Sequence, residues 1–171
     1  MMSQVLKIDD IDRSIIEIVQ KEPNLTHTEI AKKINRSQPT VGMRIRKLEE
    51  SGVLKFQAGI NLKTADLVLA RVELETKNPA AIENLVKKCP FMLNGFRQSG
   101  DFNFSIFIVG FQLTQLEFIV NTHFRNNPDV QRVDLNIITS CCNDFVLPFN
   151  LNYQGCGEES CKYICCGKCI D

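Results

Sequence analysis

Two features that would place the chain in a membrane or outside the cell are missing from the sequence. No apolar run approaches the roughly eighteen uninterrupted residues that a membrane-spanning helix needs. No basic segment followed by an apolar stretch opens the chain, as it does in a secretory leader. We therefore expect a cytoplasmic protein without a membrane partner.

The residue patterns of common active sites are also missing. The sequence contains no glycine-rich phosphate loop, no paired carboxylates and no recognisable pairing of a nucleophile with a base. Its two histidines, His27 and His123, have no other candidate ligand beside them, so both are expected at the surface or in helix caps. We therefore do not expect an enzyme.

Net charge is absent as well, because twenty basic residues balance twenty acidic ones over 171 residues. A chain of this length with 44% hydrophobic residues fits two small domains. The balance conceals a local excess, since residues 31–55 carry seven basic side chains and two acidic ones. This segment is suited to a polyanionic partner.

Three helical patterns contain the basic segment. The first, DDIDRSIIEIVQKEP, has apolar residues at helical spacing after an acidic start. The second begins at Thr26, with Glu29 placed for a capping box. The third begins at Ser37, has Pro39 in its first turn and ends at Gly52, which is suited to a left-handed conformation. The segment VLKFQAGIN alternates like a short strand and is expected to form a wing.

Two helices joined by a short turn, the second with basic and polar side chains, are typical of a helix-turn-helix that enters the major groove. The alternative is a helical bundle whose basic face is only solvated. If the third helix reads DNA, we expect Gln38, Thr40 and Arg44 to face base edges. We assign Arg36, Arg46 and Lys47 to the DNA backbone or to the structure. The candidate DNA-binding residues are Arg36, Ser37, Gln38, Thr40, Arg44 and Lys47.

The sequence of this region is similar to that of a known family. LTHTEIAKKINRSQPTVGMRIRKLEESGVL closely resembles the winged helix-turn-helix of the Lrp/AsnC (feast/famine) transcription regulators, and IDDIDRSIIEIVQ resembles their first helix. The resemblance runs from Ile8 to Leu54 almost without a gap. It departs at Gly42, where the family often has a larger polar residue, so one contact to a base or phosphate is expected to be missing.

The rest of the chain has the pattern of an α+β domain. We predict strands over LVLARVELET, FMLNGFRQ, FNFSIFIVGF and VQRVDLNIIT, and helices over PAAIENLVKKC and QLTQLEFIVNTHF. The order βαββαβ predicts a ferredoxin-like domain with two helices on one face of an antiparallel sheet. The other face is expected to be apolar, rich in Phe and Ile, and covered by a second copy in a homodimer or higher homo-oligomer. The Lrp/AsnC resemblance implies the same fold and the same dimerisation.

The turn between the second and third of these strands is the candidate effector site. Gly100, Asp101 and Phe102 match a Gly-Asp-aromatic signature. The resemblance to the Lrp/AsnC family implies that this signature marks the small-molecule pocket. The alternative is ordinary hairpin chemistry. An amino acid is the expected type of effector, with Asp101 suited to an amino group and Arg97 to a carboxylate. The candidate effector residues are Arg97, Gly100 and Asp101.

The resemblance ends before a cysteine-rich C-terminal segment. We expect a winged helix-turn-helix over residues 1–60, a ferredoxin-like domain over residues 61–140 and a short Cys-rich, metal-binding extension over residues 141–171. Close thiolates repel one another unless a cation neutralises them, so a metal centre is expected there. Its candidate ligands are Cys156, Cys161, Cys165, Cys166 and Cys169.

The spacing of these cysteines leaves the metal open. Zinc fits the pairs Cys156/Cys161 and Cys166/Cys169, which leave Cys165 spare. An iron–sulfur cluster tolerates compact, irregular spacings, although no standard ferredoxin run is present. A metal-free tail of reactive thiols or disulfides is the third alternative. Elsewhere, Cys89 is expected in the core, as is one of the adjacent residues Cys141 and Cys142.

The expected function is sequence-specific regulation of transcription through double-stranded DNA, in the manner of the Lrp/AsnC family. A small effector, or the redox or metal state of the cysteine cluster, is expected to modulate it. Two alternatives remain. One is a metal- or redox-binding electron-transfer or sensor protein, and the other is a metabolite-sensing oligomer that does not bind DNA. Salt-dependent binding to duplex DNA separates the first function from these two.

Overall fold

The chain divides after residue 57 into two compact units, and the computed structural model describes residues 8–149. Unit 1 lies before this division and unit 2 after it. None of the described helices combines the length and the apolar character needed to cross a membrane. The helices described for unit 1 are α1 (Asp10–Lys21), α2 (His27–Lys33) and α3 (Gln38–Glu50).

Each helix of unit 1 begins at a side chain that accepts a hydrogen bond from an otherwise free backbone N–H. The capping box predicted at Thr26 and Glu29 is confirmed, and α1 begins with a second capping box formed by Asp9 and Asp12. α3 is followed by Gly52, whose φ of +74° confirms the predicted left-handed end. Local sequence signals therefore define the ends of these helices.

The three helices share one apolar core. Its side chains recur at intervals of three and four residues, which is the periodicity that predicted the helices. Because α3 buries one stripe in this core, its opposite stripe faces outward. The buried members are Ile15, Val19, Ile30, Ala31, Val41, Ile45, Leu48 and Leu54.

Unit 2 has the predicted βαββαβ order within its described residues. The four main strands form one antiparallel sheet in the order β3-β4-β2-β5, which confirms the ferredoxin-like arrangement. The strands are β1 (Ile60–Asn61), β2 (Val68–Thr76), β3 (Met92–Arg97), β4 (Phe104–Gly110), β5 (Val130–Ile137) and β6 (Val146–Leu147). The helices are α4 (Pro79–Lys88) and α5 (Leu113–Val120).

Both helices of unit 2 cover the same face of the sheet. Ile106 and Ile108 of β4 are fully buried in the core that α4 and α5 form with this face. The prediction that isoleucines enrich the open face is therefore wrong for β4. The open face instead carries Phe96, exposed and in edge-on contact with Phe107, and the ion pair between Arg71 and Glu73 lies on the same face.

Two short strands differ from the sequence-based expectation. β1 pairs with β6, with Ile60 opposite Leu147, in a separate two-stranded sheet. Residues 53–59 contain no strand, so the described part of unit 1 has no ladder that forms the predicted wing. The first described residues of the predicted extension are also not separate, because Phe145 and Leu147 pack with Leu69 of β2. Burial of these apolar side chains explains why the segment packs against the sheet of unit 2.

α5 continues into one π-helical turn, Asn121–Arg125. His123 in this turn is 2% exposed, so the prediction that it lies at the surface or in a cap is wrong. It follows the buried Ile119 by four residues and Val120 by three, a spacing that places it on the inner side of the helix. His27 is exposed, as predicted.

Candidate nucleic-acid interface

The turn between α2 and α3 has a defined backbone geometry. Asn35 has a φ of +51°, a left-handed conformation that asparagine tolerates better than most residues. The backbone N–H of Arg36 donates to the carbonyl of Ala31 at 3.0 Å. These features define the turn between the helices and the position at which α3 begins.

The first turn of α3 is stabilised by two hydroxyl groups. Ser37 Oγ accepts a hydrogen bond from the backbone N–H of Thr40 at 3.4 Å, and the two side-chain oxygens are 2.7 Å apart. Ser37 is therefore the N-cap that the sequence predicted. The structure assigns both of these candidate DNA-binding side chains to the cap.

The expectation that Arg44 faces a base edge does not agree with its position, because its guanidinium contacts two carboxylates near the start of α1. Its Nη1 is 2.6 Å from Asp9 Oδ2 and 2.8 Å from Asp12 Oδ1. Only 25% of the side chain is exposed. A base contact would have to compete with these two charge-assisted hydrogen bonds. Arg44 therefore links α3 to the beginning of α1 and does not project from the outer face of α3.

The same contact explains the electrostatics of this cluster. The hydrogen bond from Arg44 is the largest cause that lowers the pKa of Asp9 below its ordinary value of 3.8, followed by the bond from the backbone N–H of Asp12. Hydrogen bonds to Asp9 and Asp12 raise the pKa of Arg44 in turn. Asp9 and Arg44 are thus both charged at neutral pH, and the ion pair is complete there.

Exposed basic and polar side chains lie in the turn before α3 and along the helix. Arg36, Gln38 and Lys47 are exposed, as a role in DNA binding requires. Two further exposed residues lie on the outer face of α3. Arg46 was assigned to the DNA backbone or to the structure, and Met43 was given no role by the sequence. Among the described residues, no carboxylate lies within ion-pairing distance of Arg46 or Lys47. Their positive charges remain available to a polyanion.

Gly42, where the sequence departs from the family it resembles, lies beside α2. A Cβ atom at this position would be 3.2 Å from Nδ1 of His27. The imidazole ring therefore occupies space that a larger residue at position 42 would need. The glycine at position 42 therefore allows α2 and α3 to approach each other closely.

The candidate effector residues Arg97, Gly100 and Asp101 are exposed. Arg97 Nε donates to Oε1 of Glu83 in α4 at 2.5 Å. The Glu83 carboxylate therefore competes with the carboxylate of any ligand for the Arg97 guanidinium. Asp101 is exposed. Gly100 has a φ of +119°, so the backbone requires glycine here whether or not a ligand binds. The structure leaves Phe102 half-buried, with the Arg132 guanidinium 4.6 Å from the ring centroid.

Asn103 anchors this turn and was not predicted. Its Nδ2 donates to the carbonyl of Thr76 at 2.7 Å, and its Oδ1 accepts from the N–H of Thr76 at 2.9 Å. The side chain thus satisfies both backbone groups at the end of β2. An asparagine beside a Gly-Asp turn is a common signal of local hydrogen bonding, but the sequence does not reveal the distant partner.

The five candidate metal ligands Cys156, Cys161, Cys165, Cys166 and Cys169 lie outside the described residues. Within residues 8–149, no group of three or more His, Cys, Asp or Glu side chains is arranged to hold a metal ion. Cys89 is buried, as predicted. Cys141 is partly buried and Cys142 is exposed, which agrees with the expectation that only one of the pair turns inward.

Comparison with known proteins identifies the class of the N-terminal unit. Residues 8–55 match the family of winged helix-turn-helix DNA-binding domains. The chain is 27% identical to an uncharacterised HTH-type transcriptional regulator of Pyrococcus abyssi over 129 residues, which cover 73% of this chain and 78% of that protein. This similarity extends well beyond the DNA-binding motif.

Solved structures agree in fold. LrpC of Bacillus subtilis has a TM-score of 0.68 at 27% identity, with 81% of this chain and 99% of LrpC covered. A transcriptional regulator of Neisseria meningitidis, solved as an L-methionine complex, has a TM-score of 0.70 at 19% identity, with 84% and 97% covered. The chain is therefore similar to HTH-type transcriptional regulators, and its residues 8–55 are similar to DNA-binding domains of the winged helix-turn-helix class.

Proposed function

We propose that this protein is a sequence-specific, DNA-binding transcription regulator of the Lrp/AsnC type. The observation that carries the proposal is the exposed surface where α3 begins and along its outer face. Arg36 lies in the fixed turn before the helix, Gln38 is its first residue and Lys47 lies on the outer face. The family match over residues 8–55 and the 27% identity to LrpC support it. A helix with these properties is suited to the major groove of duplex DNA.

The exposed side chains have separate roles in this proposal. Arg36 and Lys47 contact phosphates, because a charged side chain gains affinity there regardless of sequence. Gln38 contacts a base edge, since its amide supplies the donor and the acceptor that match adenine in the major groove. Affinity and sequence preference are therefore assigned to different residues of one surface.

Three other candidate residues hold the reading helix in place. Ser37 and Thr40 fix its first turn through their hydrogen bonds. Arg44 fixes its middle turn to α1 through the two carboxylates. In this proposal these residues affect DNA binding through the position of α3 and not through a base contact.

The proposal is tested by enriching duplexes from a random-sequence library with the full-length protein. We expect one motif to be recovered. Lys47→Ala should recover the same motif with lower affinity, whereas Gln38→Ala should lose preference at one position. Lys87→Ala, a change of an exposed lysine in unit 2, is the matched control and should change neither. Failure of the wild-type protein to enrich any motif would contradict the proposal.

The regulator is proposed to act as a homodimer or higher homo-oligomer built on the open sheet face of unit 2. Phe96 is 44% exposed, and its ring centroid lies 6.1 Å from that of Phe107. Arg71 and Glu73, paired at 2.9 Å, add charges of both signs on this face. An apolar pair beside opposite charges suits a self-complementary contact around a two-fold axis. Phe96→Asp should shift the protein to monomers in sedimentation equilibrium, and a monomeric wild-type protein at micromolar concentration would refute this part.

A small effector, such as an amino acid, is proposed to bind near the turn of residues 97–103. Support comes from the Neisseria regulator, which has this fold and was solved with L-methionine. Asp101 is exposed and suited to an ammonium group, while Arg97 would exchange Glu83 for the ligand carboxylate. Calorimetric titration with the standard amino acids should detect one ligand, and Asp101→Asn should abolish its binding. Absence of heat for every amino acid would reject this effector class.

The cysteine-rich tail is proposed to hold a metal centre, zinc or an iron–sulfur cluster, that modulates the regulator. The support is the sequence alone, in which Cys156, Cys161, Cys165, Cys166 and Cys169 fall within fourteen residues. Thiolates this close favour a cation that neutralises them. The alternative is a metal-free tail of reactive thiols or disulfides.

A further inference from the structure

Met43 has a special position on α3. It is 68% exposed, the highest value among the large apolar side chains of the described residues. At 3.6 residues per turn, it lies about 160° to 200° around the helix axis from the buried Val41 and Ile45. Isolated apolar side chains are common on protein surfaces, so exposure alone carries no meaning. The position of Met43 is informative, because this side chain occupies the centre of the outer face of α3.

Positive charges lie along the helix on the same side. Lys47 follows Met43 by one helical turn, Arg46 follows it by three residues, and Arg36 precedes the helix, and all three are exposed. Phosphates attracted to these cations bring a duplex against the outer face of α3. The Met43 side chain then lies between the helix and the base edges and loses its contact with water.

The chemistry of the side chain limits what it can recognise there. A thioether has no donor and is only a weak acceptor of hydrogen bonds. If it covered the polar edge of a base, the groups on that edge would lose water without gaining a partner. In the major groove, the apolar group that distinguishes one base from the others is the C5-methyl group of thymine.

We infer that Met43 is a specificity-determining residue that reads the methyl group of a thymine. The inference rests on the proposed DNA-binding function and assigns one element of its sequence preference. It differs from the role of Gln38, because it involves apolar contact and no hydrogen bond. Its contribution should therefore depend on the methyl group and not on the base pair as such.

The test uses the full-length protein and the duplex enriched from the random library. Each thymine is replaced in turn by deoxyuridine, which removes the methyl group and retains every hydrogen-bonding group. At one position, wild-type affinity should fall about fourfold, as roughly expected for one buried methyl group. Met43→Ala should bind both duplexes equally, whereas Met43→Leu should retain the discrimination. Met43→Gln should shift the preference at this position towards adenine.

The outcomes separate this inference from the proposed function. Because Met43 is exposed, its variants should unfold at the wild-type temperature, and Lys47→Ala is the control that should retain the deoxyuridine effect. If the wild-type protein enriches a motif but discriminates at no thymine, or if Met43→Ala discriminates as the wild type does, the role of Met43 is overturned and the proposed function stands. If the wild-type protein enriches no motif, both are overturned.

Discussion

The guanidinium of Arg44 is 2.6 Å from the carboxylate of Asp9, although the two residues are 35 positions apart in the sequence. A second bond, to Asp12, completes the attachment of α3 to the first turn of α1. The positive charge of Arg44 is thus neutralised inside unit 1. The orientation of the proposed reading helix depends on an ion pair at its side as well as on its apolar core.

Replacement of Arg44 by Met is expected to lower the melting temperature of unit 1, because it leaves the largely buried Asp12 without its cation. The motif enriched from a random library should be unchanged. Thermal unfolding and motif enrichment measure the two effects. Arg46→Met is the matched control and should retain stability while weakening DNA binding at low salt. A stable Arg44→Met protein that has lost one base preference would show that Arg44 reads DNA.

The same ion pair predicts a dependence of stability on pH. The pKa of Asp9 is lowered by folding, so its contribution is complete above the unfolded value, near 3.8, and is lost as the pH falls through the folded pKa. Asp9→Asn retains an N-cap side chain and removes the charge. Denaturant titrations should show this variant less stable than the wild type from neutral pH to about pH 4, with the difference vanishing in stronger acid. A difference independent of pH would rule out the ion pair as its source.

Asn103 is expected to be the residue on which the candidate effector turn depends. Asn103→Ala removes both partners of the Thr76 backbone and should lower the free energy of unfolding of unit 2 by roughly 1–3 kcal/mol. Chemical denaturation of the full chain measures this loss. Asn84→Ala, on the exposed side of α4, is the control and should lower the free energy of unfolding by less than about 0.5 kcal/mol. Equal costs for the two variants would exclude the anchoring role.

The tail is expected to contain metal when the protein is purified without oxygen. Absorption spectra and metal analysis should give either zinc or iron with sulfide, and Cys166→Ser should reduce the content. If the centre modulates the regulator, metal-loaded and metal-free protein must differ in affinity for the enriched duplex at fixed salt. Equal affinities would leave a metal without a regulatory role. Wild-type protein without metal would refute the proposed centre.

Much of the architecture followed from local sequence patterns. Capping residues such as Thr26 and Ser37 marked the ends of helices, and alternation marked the four main strands, because these signals act within a few residues. The face that each side chain occupies was partly predictable too. Helical periodicity from Ile119 and Val120 could have placed His123 inside, and the same rule from Val41 could have placed Met43 outside.

The remaining features depend on tertiary contacts that local patterns do not encode. The ion pair of Arg44 joins residues far apart in the sequence, so local patterns predict a DNA contact for the arginine and not this pairing. β1 and β6 are each two residues long, too short for an alternation signal, and they form only because they meet each other. Asn103 likewise acquires its role from Thr76, 27 residues away.

The most direct test of the central claim is the affinity of the full-length protein for the enriched duplex and for a scrambled duplex, measured by fluorescence anisotropy at several salt concentrations. We expect tighter binding to the enriched duplex by about 10³-fold or more, with affinity for both duplexes falling as salt rises. Lys47→Ala should reduce the slope of log K against log salt by about one. Equal affinity for the two duplexes, or binding that does not respond to salt, would contradict sequence-specific recognition by the basic face of α3.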